Sequence, residues 1–279
     1  MPGERVAVVT GATGGIGLYT ALGLARAGRA VVMVGRGRDR LDDARRFVEE
    51  RVPGAAVEPL LADFSALAEL RRLAEEILSR HNRIDALINN AGLMTPGYCR
   101  SADGFELSMA VNHLAPFLLS HLLLDALKRS DSGRIVTVAS EAHRRTRLRA
   151  GDIAQNRKSG GFAAYCRSKL CNVLFTRELA RRLADSTVTA SCLHPGLVAT
   201  AIGDRGGIVV SFGWRAIKPF LIGPEKGAET SVFLATVSDP RPFNGAYVIR
   251  KRAVRPDPLA LDESVARRVW EESARLVGL

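Results

Sequence analysis

At 279 residues, with 47% hydrophobic and 25% charged residues and a net charge of +11, the chain has the composition of a folded globular protein, which excludes intrinsic disorder. Its positive charge is arginine interleaved with acids, as in DRLDDARRFVEER and AELRRLAEEILSR; without zinc-finger spacing or an RNP-like aromatic motif, this pattern of solvated helix faces argues against nucleic-acid binding. Cys99, Cys166, Cys171 and Cys192 form no CxxC pair, no segment has 18 consecutive apolar residues, and the N-terminus enters a strand at once, so the expectation is a reduced, cytoplasmic protein without a transmembrane segment.

In chain order, RVAVVTG reads as a strand and is followed by a helix from Gly15 to about Ala27. AVVMVG precedes a helix from Asp39 to about Arg51, AAVEPLLAD one from Ala66 to about Arg80, and IDALINNAG one from Phe105 to about Arg129. GRIVTVAS leads into a helix from Phe162 to about Ala184, and TVTASCLHPG closes the series. Several strands are near-continuous apolar runs, as strands buried on both faces require. The alternation predicts one α/β domain over residues 1–279, a parallel sheet covered by helices, with its ligand at the carboxyl ends of the strands. Two segments break the rhythm: the basic loop at 141–161 and the apolar stretch at 206–223. Both follow strand ends, where loops carry function.

TGATGGIG, residues 10–17, joins the first strand to the first helix. Glycine lets backbone approach a pyrophosphate closely, and a helix N-terminus offers free N–H groups and a positive dipole end. The spacing Gly11, Gly15, Gly17 is a gapped variant of the usual dinucleotide turn, and taken alone it is also compatible with a purely structural role. Gly11, Thr13, Gly14, Gly15, Ile16 and Gly17 are the candidate contacts. The second strand ends in VMVGRGRDR, with Arg36 and Arg38 where a site for unphosphorylated ribose would offer a carboxylate. Guanidinium groups suit a 2′-phosphate, so the expected cofactor is NADP(H) in preference to NAD(H).

Several further stretches converge with this turn: Asp63 after the third strand, NNAG at 89–92, Asn112 in VNHLAPFLL, Ser140 in IVTVAS, YCRSK at 165–169 and HPGLVAT at 194–200. Together they resemble the short-chain dehydrogenase/reductase family. SADGFELSMAVNHLAPFLL and AYCRSKLCNVLFTRELARRL are closer to its retinol dehydrogenase-like branch. The resemblance implies a Rossmann-like, seven-stranded parallel sheet in order 3-2-1-4-5-6-7, its last strand near residue 247. It also implies assembly as a homodimer or homotetramer.

Residues four apart on a helix share a face, so Lys169 can lie beside Tyr165; on its own such a pair also reads as the polar edge of an amphipathic helix. A cation about 4 Å away is worth up to about 4 kcal/mol to a phenolate at an effective dielectric of 20. By resemblance, Tyr165 is the general acid/base, Lys169 lowers its pKa and binds the nicotinamide ribose, Ser140 bonds the substrate oxygen, and Asn112 holds a water relay to the lysine. Asp63, with Phe64, is expected at the adenine, and Asn90, Ala91 and Gly92 at the adenosine ribose. Pro195, Gly196, Val198 and Thr200 are expected at the nicotinamide carboxamide. His113 and His194 are read as supporting residues, and no metal site is expected.

The family places a substrate-covering element after Thr200, here about residues 200–223. Its apolar side chains, with Met94, Phe162, Phe212 and Trp214 as candidate contacts, point to a bulky, largely apolar small-molecule substrate. The same stretch is compatible with a dimer contact or a membrane-surface patch. The expected activity is interconversion of an alcohol with a ketone or aldehyde. A catalytically idle NADP(H)-binding sensor is the rival, and the intact Asn, Ser, Tyr and Lys favour the enzyme.

Overall fold

The computed structural model describes residues 5–148, 153, 160–198 and 222–279. Its strands follow from β-branched runs that find apolar cover on both faces. β1 (Val6–Thr10) and β2 (Ala30–Gly35) are buried at every position. β3 (Val57–Leu61) is only partly buried and contains Pro59, which an edge strand tolerates because one side of it needs no ladder N–H. β4 (Ala86–Asn89), β5 (Arg134–Val138), β6 (Thr189–His194) and β7 (Tyr247–Ile249) continue the sheet, which has the order β3-β2-β1-β4-β5-β6-β7-β8.

The first seven strands pair in parallel, in the expected order. The eighth, β8 (Arg252–Val254), was not anticipated and pairs antiparallel with β7. Two residues, Arg250 and Lys251, join them with φ of 49° and 64°. A two-residue hairpin turn with both centres at positive φ normally uses Asn-Gly or Asp-Gly, so an Arg-Lys pair gives no sequence signal for it.

Alternate strand residues face opposite helical layers. Val8, Val32, Leu87 and Ile135 pack on the layer of α3 (Leu67–Arg80), α5 (Ala115–Leu122), α7 (Gly161–Arg182) and α9 (Glu263–Val277). Val9, Met33, Ile88 and Val136 pack on that of α1 (Gly15–Arg26), α2 (Arg38–Arg51) and α8 (Pro224–Thr236). α8 lies close on α1 because Gly23 has no side chain, and a Cβ there would come 2.6 Å from Val232.

The single helix expected from Phe105 to about Arg129 is broken instead. It comprises α4 (Leu107–Met109), a π-helical turn (Ala110–Leu114), α5, and α6 (Leu124–Lys128). Pro116 supplies the reason. It has no N–H to give the carbonyl four residues back, that of Asn112. That carbonyl takes a hydrogen bond from Asn172 Nδ2 at 2.8 Å.

The β7–β8 turn generates a test. Replacing Arg250 with Asn and Lys251 with Gly relieves two left-handed residues at the cost of an exposed Lys251–Glu229 pair. Urea denaturation is expected to show a gain of about 1 kcal/mol.

Candidate active site

β1 and β4 are neighbours in the sheet, yet the chain leaves them for opposite layers, and a crevice opens between their carboxyl ends. Thr10 and Asn90 hold its floor. The Thr10 hydroxyl accepts the N–H groups of Asn90 at 2.9 Å and Ala91 at 3.0 Å and donates to the Ile88 carbonyl at 3.2 Å. Asn90 Nδ2 returns to the carbonyls of Thr10 at 2.8 Å and Gly11 at 3.3 Å. The amide expected at the adenosine ribose is therefore committed to bracing the turn.

Two glycines make room for this brace. Gly11 has φ 66°, and a Cβ on it would sit 2.9 Å from the Ala91 Cα. A Cβ on Gly17 would overlap the Gly11 carbonyl and the Asn90 amide. Gly14 differs, with nothing within 4 Å of its Cβ position. It caps α1 with no side-chain bond to the first N–H groups, and no acid lies in the first turn. The open, uncapped end is the part of the turn that suits an anion. The Thr13 methyl packs against Gly35, and Ile16 packs near Gly227.

Just past β2, Arg36 and Arg38 are exposed. Asp63 Oδ1 accepts the Ser65 N–H at 2.9 Å, and the Phe64 side chain is buried in the α3 layer. Only the backbone of Phe64 is free to meet an adenine.

On the other side of the crevice, α7 carries Tyr165 and Lys169, with Lys169 Nζ 5.6 Å from the Tyr165 ring centre. The ammonium is 4% exposed and donates to the Val138 carbonyl, at the end of β5, at 2.7 Å. Burial drops its pKa from 10.5 to about 8. Tyr165 is half-buried; burial raises its pKa, and a hydrogen bond from Ser140 opposes the rise. Lys169, expected to lower the Tyr165 pKa, is not among the groups that shift it here. The ammonium is spent on a carbonyl and desolvated, so burial dominates and the phenol stays protonated.

Ser140 opens the 3₁₀ turn Glu141–Arg145, where its Oγ accepts the Ala142 N–H at 3.2 Å. Asn112 is fully buried, and its side chain is engaged on two sides. Oδ1 accepts the Leu93 N–H at 2.8 Å, while Nδ2 donates to the Leu93 carbonyl at 2.9 Å and to Ser168 Oγ at 3.0 Å. Gly92 separates it from the lysine, since a Cβ there would lie 3.3 Å from Asn112 Oδ1 and 3.6 Å from Lys169 Nζ. The structure thus brings Gly92, Asn112, Ser140, Tyr165 and Lys169 to one edge of the sheet.

The histidines are supporting residues. His113 is buried between Asn172 Oδ1 at 3.3 Å and Ser273 Oγ at 2.8 Å, and burial lowers its pKa to about 4. His194 ends β6, its pKa lowered by burial. Sequence reasoning missed Thr10, Ser168, Asn172 and His143. For Thr10 a signal existed, since a β-branched hydroxyl residue stands directly before Gly11 and opposite NNAG.

After β6, Pro195 leads to Gly196 with φ 94°, and Val198 bridges to Ile222. Met94 is buried. Phe162 is 48% exposed and stacks on Tyr165, ring centres 6.4 Å apart, while Leu197 is 62% exposed. Thr200, Phe212 and Trp214, with nearly all of the 200–223 segment and Arg149, Arg157 and Lys158 of the basic loop, lie outside the described residues. Among the described residues, no group of three or more His, Cys, Asp or Glu could hold a metal ion, and no helix is long and apolar enough to cross a membrane.

The sequence model of the family described as short chain dehydrogenase matches residues 5–206. Human retinol dehydrogenase 13 is 41% identical over 285 residues, covering 100% of this chain and 86% of that protein. Bovine retinol dehydrogenase 12 is 38% identical, with 99% and 87% covered. Among solved structures, an uncharacterized protein from Mycobacterium paratuberculosis superposes with a TM-score of 0.79 at 32% identity, covering 99% of this chain and 94% of that one. A protein assigned as an NAD(P) dependent gluconate 5-dehydrogenase from Beutenbergia cavernae, with NADP bound at low occupancy, gives 0.70 at 30% identity, with 88% and 94% covered.

Lys169 yields a stability prediction with a definite sign. Its folded pKa lies below the unfolded one, so folding releases protons and burial of the ammonium destabilises the fold. The cost is about 3 kcal/mol, is complete below pH 8 and vanishes as pH approaches 10.5. Lys169→Met is expected to raise the unfolding free energy at pH 7 by about 2 kcal/mol after the Val138 carbonyl loses its partner. Denaturation across pH 7 to 10.5 checks that the gain fades over that window.

Proposed function

The chain belongs to the short-chain dehydrogenase family, in its retinol dehydrogenase-like branch, and from that premise we propose an NADP(H)-dependent oxidoreductase interconverting an alcohol with a ketone or aldehyde on a bulky, largely apolar substrate. The observation that carries the reading is the buried Lys169 ammonium 5.6 Å from the ring centre of Tyr165, one helical turn away on α7, with Ser140 opening the turn after β5.

The residues present fit the dinucleotide. The open space at Gly14 and the uncapped start of α1 suit its pyrophosphate, and Arg36 and Arg38 suit a 2′-phosphate. Asp63 and the backbone of Phe64, Ala91 and Gly92 would meet the adenosine, and Lys169 the nicotinamide ribose. Pro195, Gly196, Val198 and Thr200 would hold the carboxamide. When bound, NADP(H) supplies or accepts the hydride.

In the reductive direction Tyr165 gives its proton to the carbonyl oxygen as negative charge develops there. The Ser140 hydroxyl donates to the same oxygen, with its Oγ already oriented by the Ala142 N–H. Lys169 keeps positive charge beside the phenol, and Asn112 holds the backbone at Leu93; the family resemblance would add a water relay from Asn112 to Lys169. With its pKa raised by burial, the phenol carries its proton at neutral pH, the form that the reductive direction uses. The exposed rings and chains of Phe162 and Leu197 support an apolar substrate. Residues 200–223 would cover it, since Val198 and Ile222 bracket that segment beside the site. A cytoplasmic location belongs to the same proposal and is supported by four cysteines, none of them in a disulfide.

A panel of apolar ketones and aldehydes, followed by NADPH absorbance, tests the activity. Tyr165→Phe is expected to lower kcat by about 10²- to 10⁴-fold with NADPH affinity kept; undiminished turnover would refute the mechanism. Arg36→Asp is expected to shift the NADPH-to-NADH preference by about 10- to 100-fold, the worth of one charge-assisted hydrogen bond. An unaltered ratio of the two dissociation constants would remove Arg36 from the 2′-phosphate.

A further inference from the structure

We propose that His143 is a positioning residue for Ser140, its imidazole locking the turn that aims the Ser140 hydroxyl at the reacting oxygen. The proposal rests on the role assigned to Ser140 above.

The argument begins with spacing. In a 3₁₀ turn the third residue on lies over the first, so His143 can return to the residue that opens the turn. It does so twice, through its backbone N–H at 3.1 Å and its ring Nδ1 at 2.7 Å, both to the Ser140 carbonyl. The Ser140 carbonyl, and with it the peptide plane that sets the direction of Cβ–Oγ, is therefore held by the backbone N–H and the fully buried ring of one residue.

The ring's own partners fix its chemical form. A carbonyl only accepts, so Nδ1 carries the proton; the Asp257 backbone N–H only donates, at 3.1 Å to Nε2, so Nε2 is bare. A neutral imidazole with its proton on Nδ1 satisfies both contacts. An imidazolium would set Nε2–H against the Asp257 N–H and push the turn off its seat. His143 thereby links the end of β5 to the chain after β8, and its ring packs edge-on against Tyr247 with centroids 4.7 Å apart.

The charged and titratable groups around it come from every neighbouring element. Glu141 and Arg144 lie on its own turn, His194 at the end of β6, Tyr247 on β7 and Asp257 on the loop before α9. Tyr247 donates to Glu141 Oε1 at 2.8 Å, and Arg144 Nε reaches Glu141 Oε2 at 3.1 Å, so the carboxylate nearest the ring is already paired. Burial holds His143 below its ordinary pKa; the Ser140 carbonyl pulls the other way, Arg144 adds to the depression, and Glu141 and Asp257 oppose it. The neutral form required by the geometry is thus the one present at pH 7, and it is lost only in acid.

The test compares His143→Leu, which removes both ring contacts, with His143→Asn, whose Nδ2 can replace the Nδ1 donor to Ser140. His143→Leu is expected to lower kcat by about tenfold, the worth of one hydrogen bond, with KM and NADPH affinity unchanged. His143→Asn is expected to recover most of that loss and to lack the acid limb of the wild-type kcat profile. Nitrogen-15 NMR of the intact protein is expected to show His143 as the Nδ1–H tautomer, titrating below pH 6.5.

His143→Leu with wild-type kcat overturns the proposal. So does an Nε2–H tautomer, or a parallel fall of kcat, NADPH affinity and melting temperature in both variants without rescue by Asn. Ser140→Ala, run alongside, separates the two levels. Full turnover in Ser140→Ala refutes the functional reading itself, whereas an inactive Ser140→Ala beside a fully active His143→Leu refutes only the role of His143.

Discussion

Two parallel strands that lie side by side and feed helices on opposite faces must part at their carboxyl ends, and the backbone groups exposed there lose their ladder partners. In this chain the parting is held by the reciprocal bonds of Thr10 and Asn90. One hydroxyl and one amide engage five backbone groups, and a backbone group buried without a partner costs about 1–3 kcal/mol. The rest of the site descends from that brace. It brings Ala91 against Gly11 and the Asn90 amide under Gly17, which is why those two positions must lack a Cβ. It leaves the start of α1 uncapped toward the crevice and Gly92 as the bare step between Asn112 and Lys169.

The second constraint is energetic. An ammonium with no carboxylate partner among the described residues sits in the core at a cost of about 3 kcal/mol, a large share of the stability of an ordinary domain. α7 can carry that cost because it is long and buried along most of its length, from Ala164 through Ala180. The same helix contributes Ser168 and Asn172, which seize the side chain and the carbonyl of Asn112. Pro116 makes the second contact available by withholding an N–H from that carbonyl. A proline, two amides and a serine thus set the relation between the π-helical turn and α7, and Lys169 inherits its position from them.

The sheet was legible because burial on both faces writes itself as continuous β-branched runs, and the order of its seven parallel strands came with the family resemblance. Ser140, Tyr165 and Lys169 were singled out by the ordered set of motifs that carries the family resemblance, since a Tyr/Lys pair at helical spacing also reads as the polar edge of an amphipathic helix. What escaped was whatever depends on a partner distant in sequence. Asn90 sits in the expected motif, yet its work is on Thr10, 80 residues away. The break in the helix after β4 could have been suspected from Pro116, but an apolar run through VNHLAPFLL outweighed it. β8 had no turn chemistry to announce it. α8 and α9 did carry local signals, Pro224 at the first turn of one and an Asp262 cap with a left-handed Gly278 on the other, but they lie beyond the strand-helix alternation that organised the reading.

One property of the site follows from the kind of partner its side chains have. Lys169 bonds a carbonyl, Ser140 Oγ a backbone N–H, Asn112 a backbone N–H and carbonyl, and His143 a carbonyl and a backbone N–H. Backbone groups do not titrate, so these contacts fix the donor or acceptor role of each side chain over a wide pH range. His113, His143 and His194 are all depressed by burial and stay uncharged at pH 7. The crevice therefore holds its histidines neutral and keeps Lys169 as the cation beside the phenol. The fixed backbone partners hold these side chains in place as the substrate oxygen turns from carbonyl to alkoxide.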